Sequence, residues 1–516
     1  MSEAPAADAG EFDYVIVGGG SAGATLAGRL SEDASLRVCL IEAGKRDTDP
    51  LIHMPLGFGV WGMMGGDMLA NWGFQSVPQP HLNNRSTFQP RGRVLGGSSS
   101  INAMIYIRGT PSDYDGWARL GAVGWAWKDV LPYFLRSEGN RRLGEPFHGR
   151  DGPLTVSDLR HKSPIAQRFL DACAELQYPA TDDFNGAAQE GVGWYQVTQR
   201  DGRRCSAAVA YIDPARQRKN LEILTEAHVE RVLFDGRRAT GVRFRRDRLS
   251  SSVKARRAVV LSAGAFQSPQ ILMLSGVGPA AHLKEHGVDV LVDSPEVGLN
   301  LQDHLDHITL RRARMNGTIG INVSTTLALP GAAYAYFRRG EGYLTSNLAE
   351  AGGFVRTDPR LAEPDVQLIF VVGVVDDHGR KKHFGEGFSC HVCVLRPKSR
   401  GVVALASADP FAAPLIDPNY LSDPDDMQRQ VKGVKIVQRI LEAPALAAIS
   451  GEQLYLKVGA SDAEIEDDVR ARAETVYHPV GTCRMGSDDR AVVDPSLKVK
   501  GVEGLRVADA SVMPTL

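Results

Sequence analysis

The sequence has 516 residues, of which 43% are hydrophobic and 23% charged, and its formal net charge is -2. This is the composition of a folded globular protein, and the length is sufficient for two cores of domain size. A charge so close to zero, without a basic block, argues against a nucleic-acid partner. No apolar run reaches the about 18 residues that a membrane-spanning helix needs.

The amino-terminal end and the cysteines both indicate the cellular compartment of the protein. The first ten residues, MSEAPAADAG, are small and polar, which predicts a disordered tail and not a signal peptide. Six cysteines in a chain of this length are too few for a disulfide framework, so we expect the reducing cytoplasm. Cys390 and Cys393 lie in a β-like run without a second pair nearby. Ordinary strand packing is favoured there over a metal site, and no metal is expected.

Residues 14–42 carry the strongest pattern of the chain. An apolar strand runs into Gly18-x-Gly20-x-x-Gly23, a helical run follows, and a second apolar strand ends at the acid Glu42. Gly18 permits a tight turn, Gly20 lets the backbone approach a pyrophosphate, and Gly23 lets the helix pack on the sheet. The helix amino terminus would face the phosphates, and Glu42 is placed to accept hydrogen bonds from a ribose. The pattern predicts a dinucleotide-binding site.

The elements that follow are interleaved. Residues 50–90 are irregular and rich in Pro, Gly, Asn and Met, and the glycine- and serine-rich stretch RGRVLGGSSSINAM follows at 91–104. Residues 221–234 and 240–263 are predicted to be short alternating strands that return to the first domain, and residues 258–279 a strand, a glycine turn and a helix. Several strand-like runs within residues 310–420 suggest a second sheet.

Two helices have clear starting signals. Asp423 can cap one of them, and an apolar stripe continues it through Met427, Val431, Val434, Val437 and Leu441. The other begins at the capping box Ser461-x-x-Glu464 and is expected to run toward Tyr477, loosening before Pro479. Interleaving of this kind suggests two domains, each discontinuous in sequence.

Together these motifs resemble those of the glucose–methanol–choline (GMC) oxidoreductases, a family that binds FAD. The resemblance covers nearly the whole chain, and within the family it is strongest to bacterial medium-chain alcohol dehydrogenases of alkane degradation. It is carried by the glycine turn with Glu42 and by RGRVLGGSSSINAMIYIRG (91–109), SAGAFQSPQILMLSGVGP (262–279), YHPVGTCRMG (477–486) and the closing LRVADASVMP.

The resemblance implies an α/β fold with two domains. A Rossmann-like FAD-binding domain would lie beside a substrate-binding domain built on an antiparallel sheet. After the tail of residues 1–10, the FAD-binding domain would comprise residues 11–155, 200–309 and 466–516, and the substrate-binding domain residues 156–199 and 310–465.

The family positions that bind FAD can be carried over residue by residue. Besides the glycine turn and Glu42, they are Ser21, Ala22, Ala43, Arg93, Val94, Gly96, Gly97, Ser98, Ser99, Asn102, Ala103, Met104, Val229, Ala263, Gly264, Asp509 and Ala510. Some members attach FAD covalently through a histidine just before the Asn of the SINAM-type motif. Here that position is Ile101, which cannot form the bond, so dissociable, non-covalent FAD is expected.

His478, in its HPVGTCRMG context, is the implied catalytic residue. Alcohol oxidation needs a base for the hydroxyl proton and an acceptor for the carbinol hydride, and imidazole suits the first while flavin N5 suits the second. Neutral His478 should be the active form, so kcat/KM is expected to rise through a pKa of roughly 6 to 8. Other histidines are expected to be structural or to lie in surface loops, the former being His304 and His307 and the latter His53, His81, His378 and His383.

The chain departs from the family at its carboxyl end. Members usually continue past the Met-Pro with an Asn-rich turn that supplies a second catalytic Asn or His, whereas this sequence stops at Leu516. No residue can be named for that role. Either the sequence is truncated as given, or its site is incomplete.

The substrate pocket is expected to include Met104 and Tyr477. Residues 55–74 and 344–354 are further candidates, and Met and Trp near a site suit an aliphatic substrate. For 55–74, a loop that packs on its own core is the alternative. Glu350 matches a pocket position that meets the ammonium of choline in choline-oxidising relatives, but the similar alcohol dehydrogenases also have Glu there.

The expected reaction is FAD-dependent oxidation of a primary alcohol, of medium chain length, to its aldehyde. A quinone is the expected electron acceptor and oxygen the alternative. Choline, polyethylene glycol and aryl alcohols are alternative substrates, and a lyase or photodecarboxylase is an alternative on the same scaffold. Peripheral contact with the inner membrane is left open, because the apolar 55–74 segment could touch it although its glycines disfavour a regular amphipathic helix.

Overall fold

The computed structural model describes residues 7–57 and 70–516 of the chain. Its first sheet is parallel around the glycine-rich start and antiparallel at one edge, which confirms the predicted Rossmann-like half. The strand order is Leu221–Leu224, Val38–Ile41, Ala7–Val17, Leu249–Leu261, Arg238–Arg246 and His228–Asp235, and Leu505–Val507 pairs with Leu249–Leu261.

The first strand begins earlier than the sequence predicts. Ala7 and Asp8 pair with Ser251 and Ser252, so residues 7–10 belong to the sheet and not to a disordered tail. The long strand Leu249–Leu261 offers backbone partners to these residues, which satisfies groups that a tail would leave to water. The rest of the predicted tail lies outside the described residues.

The second sheet is antiparallel throughout, as expected for the other half of the fold. Its strand order is Ser450–Leu454, Leu305–Ala313, Gly387–Val394, Val366–Val371, Ala351–Val355 and Gly191–Trp194, with Glu474–Thr475 pairing with Leu305–Ala313. Cys390 and Cys393 are fully buried free thiols in this sheet, which agrees with ordinary strand packing.

The helix Pro424–Glu442 covers the second sheet. The Asp423 carboxylate accepts a hydrogen bond from the Asp425 N–H, and the whole predicted apolar stripe is buried. The helix Asp462–Arg472 has the predicted capping box but ends at Arg472, short of Tyr477. It ends there because Glu474 and Thr475 pair as a strand with Asp306 and Leu305.

Shorter elements connect the two sheets. The remaining helices are Ser21–Leu30, Pro50–His53, Pro111–Arg119, Trp127–Ser137, Pro164–Glu175, Gly264–Leu274, Ala280–Glu285, Val323–Arg339 and Pro444–Ala447. Small sheets pair Phe74–Gln75 with Phe88–Gln89, Glu138–Asn140 with Leu154–Val156, Gln199–Arg200 with Arg203–Arg204, Val277–Gly278 with Val292–Asp293, and Gly401–Ala404 with both Leu299–Leu301 and Leu415–Asp417. Within 7–57 and 70–516, no helix combines the length and apolarity needed to cross a membrane. The predicted domain boundaries stay a prediction.

Candidate active site

The first glycine turn leaves no room for side chains. Gly18 has φ +97°, and a Cβ there would lie 2.5 Å from the Ser262 carbonyl oxygen. A Cβ on Gly23 would lie 1.9 Å from the Gly18 oxygen. Glycine at these two positions is therefore required by packing, and the helix that starts at Ser21 can point its free N–H groups out of the turn.

A second glycine turn packs on the first. Gly96 and Gly97 both have positive φ, and a Cβ on Gly97 would lie 2.6 Å from the Gly20 Cα. The Gly96 N–H donates to the Gly19 carbonyl at 2.7 Å. In contrast, the nearest atom to a Cβ built on Gly20 is 3.8 Å away, so Gly20 borders open space. The two turns form a backbone-walled cradle that fits a pyrophosphate.

Glu42 is held beside this cradle. Its carboxylate accepts the Gly19 N–H and the Gly44 N–H, each at 2.7 Å. Burial raises the pKa of Glu42 to about 7, against the lowering effect of these hydrogen bonds and of Arg93. Each carboxylate oxygen has a second lone pair, so the side chain retains the capacity to accept a ribose hydroxyl.

The structure arranges the other predicted FAD residues around two places. Ser21, Ser98, Ser99, Asn102, Ala103 and Met104 line a cavity, whereas Gly18, Gly264 and Asp509 meet at the end of the first sheet. There the Asp509 carboxylate accepts the Gly264 N–H at 2.9 Å. Arg93 and Val94 pack against Gly44 and Lys45, directly after Ala43 in the chain. Ala263 and Ala510 flank Gly264 and Asp509, and Val229 is buried in the sheet.

The cavity has a volume of about 950 Å³ and a mostly apolar wall. Its predicted members also include Tyr477, His478 and parts of both pocket segments, namely Leu56, Ala70, Asn71, Leu344, Asn347, Leu348, Ala349 and Phe354. Residues 58–69 of the Met-rich pocket candidate lie outside the described residues. The cradle, Glu42 and a cavity walled by the SINAM segment together fit a dinucleotide with a flat ring.

His478 projects into this cavity opposite the SINAM segment. Both His478 and Tyr477 are accessible to solvent, but the surface that they expose is cavity wall deep in the molecule. Burial, followed by the neighbouring His304 and Arg91, lowers the pKa of His478 to about 3. His478 is therefore neutral at physiological pH, which is the form that can accept a proton.

The hydrogen bonds of His304 set the tautomer of His478. His304 Nε2 lies 2.8 Å from the Leu395 carbonyl oxygen, which can only accept, so Nε2 carries the proton. Burial lowers the pKa of His304, so the ring is neutral and its Nδ1 is an acceptor. His478 Nδ1 lies 3.0 Å from that nitrogen and must donate to it. This assignment leaves His478 Nε2 with a free lone pair, and no partner for it is recorded among the described residues.

The backbone around His478 is fixed by residues distant in sequence. The Asp303 carboxylate accepts the His478 N–H at 2.8 Å, and Gln302 and Val480 form a backbone bridge. Tyr477 has φ +78°, a strained value for a non-glycine residue, and its carbonyl accepts a hydrogen bond from Arg91 Nη1 at 2.8 Å. The segment that carries His478 is thereby held at one orientation toward the cavity.

The structure differs from the prediction at Glu350. Among the described residues, the cavity wall includes Asn347, Leu348 and Ala349 but not Glu350, which is fully buried behind them. Its carboxylate accepts the Ser163 N–H and the Ser346 hydroxyl, each at 2.6 Å, and burial raises its pKa to about 7. These two hydrogen bonds hold the carboxyl group behind the wall, one residue before the strand Ala351–Val355 begins.

Several residues that line the cavity were not predicted as site residues, and among them His304, His378 and Arg91 lie at or near His478 and Tyr477. His304 was expected to be structural, but it contacts His478, whereas His307 is buried against Asp468 as expected. His378 was expected to be a loop residue, but its Nδ1 lies 2.6 Å from the Tyr477 hydroxyl. Arg91 also lines the cavity. The position of His304 directly after Asp303 in LQDHLDH was the available signal, but it does not reveal a partner 174 residues away.

Comparisons with known proteins agree with this architecture. The family description "GMC oxidoreductase" matches residues 12–306 with its amino-terminal part and 397–516 with its carboxyl-terminal part. The chain is 50% identical over 509 residues to "Alcohol dehydrogenase [acceptor]" of Pseudomonas putida, covering 98% of this chain and 92% of the relative. It is 41% identical over 512 residues to "Oxygen-dependent choline dehydrogenase" of Brucella ovis, with coverage of 98% and 92%. A solved structure of a mutant Aspergillus oryzae formate oxidase, which concerns the effect of the mutation on FAD modification, superposes with a TM-score of 0.89 at 28% identity; the match covers 99% of this chain and 95% of that one.

Proposed function

We propose that this chain, which belongs to the GMC oxidoreductase family of FAD-dependent enzymes and acts on alcohols, oxidises primary, medium-chain aliphatic alcohols to aldehydes. The proposed base is His478. The observation that carries this proposal is the neutral His478 ring, which His304 orients so that the free Nε2 remains available in the cavity.

The hydroxyl proton and the hydride of the substrate go to different acceptors. His478 Nε2 takes the proton of the substrate hydroxyl, and its Nδ1–H bond to His304 is kept in both the neutral and the protonated state. When bound, FAD supplies the acceptor for the hydride of the carbinol carbon and passes the two electrons on. The Arg91 guanidinium beside His478 offers positive charge where negative charge develops on the substrate oxygen.

The cavity chemistry supports an uncharged, aliphatic substrate. Its wall carries many apolar side chains, among them Ile105, Ile107, Ile319, Leu344, Leu348 and Ile369. The carboxylates at its wall already have cationic or histidine partners, since Asp113 pairs with Arg396, Glu474 with Arg85 and Asp306 with His391. With Glu350 behind the wall, an ammonium group such as that of choline would lack an unpaired carboxylate among the described residues.

We further propose that FAD is held without a covalent bond and that a quinone accepts the electrons. Ile101 lies in the cavity wall, and an aliphatic side chain cannot form the covalent link. Protein precipitated by acid should therefore release all of its yellow colour into the supernatant. Retained colour would refute the non-covalent proposal, and alcohol-dependent peroxide formation would identify oxygen as the acceptor instead.

The decisive experiment is anaerobic mixing of the purified yellow protein with 1-octanol and, separately, with choline. The flavin's visible absorbance should bleach with 1-octanol and not with choline. Bleaching by choline alone would replace the proposed substrate, and aryl alcohols or polyethylene glycol can be compared in the same way. Absence of bleaching by every alcohol would contradict the alcohol-oxidising proposal and favour lyase or light-driven chemistry.

A further inference from the structure

The helix Val323–Arg339 exposes several large apolar side chains to solvent. Val323 is 75% exposed, Leu327 78%, Tyr334 64% and Phe337 75%. These residues are spaced four, seven and three positions apart, which places them on one face of the helix. We call this face the outer stripe. A helix on a protein surface normally turns such a stripe inward, so this orientation requires an explanation.

The opposite face of the same helix already has its partners. Ala332 and Tyr336 are buried, and Thr325, Thr326 and Leu329 border the cavity. The helix is thus a wall that separates the cavity from the surface. A rotation of the helix that buried the outer stripe would remove these contacts. The contacts of the inner face therefore keep the stripe exposed.

The outer stripe continues onto a neighbouring loop. Phe384 is 71% exposed and forms a backbone bridge with Ile321, two residues before the helix begins. The Gly385 N–H also donates to the Ile321 carbonyl at 3.0 Å. Phe384 is therefore fixed beside the Val323 end of the stripe, and the apolar surface spans both elements.

The charges around this surface are predominantly basic. The helix contains no acidic residue, and it ends with Arg338 and Arg339. Arg339 pairs with Glu341 and Lys381 with Asp376, but Arg338 and Lys382 are exposed without an ion-pair partner among the described residues. Unpaired cations at the border of an apolar stripe attract an anionic partner.

We propose that the outer stripe and Phe384 form a docking face for the surface of an anionic phospholipid bilayer. The helix would lie in the plane of the interface with its apolar side chains among the acyl chains and Arg338 and Lys382 at the headgroups. A second copy of this chain fits less well, because a two-fold contact would bring the same unpaired cations together.

This orientation would place the cavity wall directly behind the lipid surface. Thr325, Thr326 and Leu329 border the cavity from within the same helix that carries the stripe. An apolar alcohol dissolved in the bilayer would then have a short path to the cavity. This consequence rests on the proposed function, whereas membrane docking itself does not.

Docking is tested by co-sedimentation of the flavin-loaded protein with vesicles of phosphatidylglycerol and phosphatidylcholine. The doubly substituted variant Leu327→Ser/Phe337→Ser should bind at least about tenfold more weakly than wild type. Val123→Ser/Leu249→Ser is a matched control, since both residues are 70% exposed and lie outside the stripe, and its binding should not change. Equal binding by wild type and the stripe variant would overturn the proposal, as would failure of the wild type to bind.

The charged border has its own test. Arg338→Glu/Lys382→Glu should weaken vesicle binding about tenfold or more and make binding less dependent on salt concentration. The control Lys128→Glu/Lys219→Glu changes exposed lysines elsewhere and should have little effect. Analytical ultracentrifugation without vesicles identifies the competing occupant: a dimer that the stripe variant dissociates would show that a second copy covers this face. Because binding is read without substrate, failure of docking is distinguishable from failure of alcohol oxidation.

Discussion

The glycine turn at 18–23 and the wall around His478 both face the place where FAD is expected, but they are assembled differently. The turn is made of backbone atoms from neighbouring residues, whose conformations are determined locally by missing side chains. The His478 wall is made of side chains from three distant segments, at Arg91, His304 and His478. Gly18 and Gly23 leave no room for an added atom, whereas a side-chain network can lose one member and retain part of its effect.

The largest effect is expected from Gly23→Ala, which tests the cradle. The new Cβ would lie 1.9 Å from the Gly18 carbonyl oxygen, a backbone atom that cannot move aside as the end of a flexible side chain could. We expect protein that is purified without FAD or does not fold, as read from the flavin absorbance per chain. Gly116→Ala is the control, because the nearest atom to its Cβ is a flexible arginine tip 3.7 Å away and alanine favours a helix. A Gly23→Ala protein with full flavin content would contradict the account of the cradle.

The next effect is expected from His478→Ala, which tests the side-chain wall. Removal of the base should slow anaerobic flavin reduction by alcohol about 100-fold or more while FAD stays bound. Stopped-flow absorbance measures the reduction rate directly. His81→Ala, which changes an exposed histidine outside the cavity wall, should reduce at the wild-type rate. An unchanged rate in His478→Ala would remove this residue from the mechanism.

The difference between local backbone turns and long-range side-chain contacts also determines which site residues could be predicted from the sequence. Gly18, Gly23 and Glu42 were predicted because glycine spacing and strand ends are local patterns, whereas the role of the SINAM segment was implied by the family resemblance. His304 and Arg91 were missed as site residues because their roles arise only when the segments at 91, 304 and 478 meet across two sheets. Glu350 was expected at the pocket, but its carboxylate binds Ser163 and Ser346 behind the wall, and the contact with Ser163, 187 positions away, is not visible in any local pattern.

Replacement of His304 should have a smaller effect that separates positioning from catalysis. His304→Leu removes the acceptor for His478 Nδ1–H and should lower the rate of flavin reduction about tenfold, because the tautomer and orientation of His478 are no longer fixed. His304→Asn retains an acceptor oxygen close to the Nδ1 position and should recover most of this loss. Equal rates in both variants would show that His304 only fills space.

The pH dependence of kcat/KM tests how strongly the side chains around His478 lower its pKa. The sequence alone predicts a rise through a pKa of roughly 6 to 8, but burial, His304 and Arg91 lower the pKa of His478 to about 3. His478 would then stay neutral in mildly acidic solution, and kcat/KM should be nearly constant from about pH 5 to 8. Steady-state kinetics over this range decides between the two profiles. A rise centred near pH 7 would mean that the network leaves the pKa of His478 unchanged.

Replacement of Glu350 should have the smallest effect. It should change the pH dependence of the free energy of unfolding and leave the choice of substrate unchanged. Burial raises its pKa from 4.5 to about 7, so the folded state binds a proton that the unfolded state has released in this interval. The stabilising contribution of the protonated form is complete below pH 4.5 and is lost as the pH rises toward 7. In Glu350→Gln this component of the pH dependence should vanish, which urea unfolding of both proteins at several pH values would measure. The preference for 1-octanol over choline should be retained, because the side chain lies behind the cavity wall; a switch in preference would place Glu350 at the substrate after all.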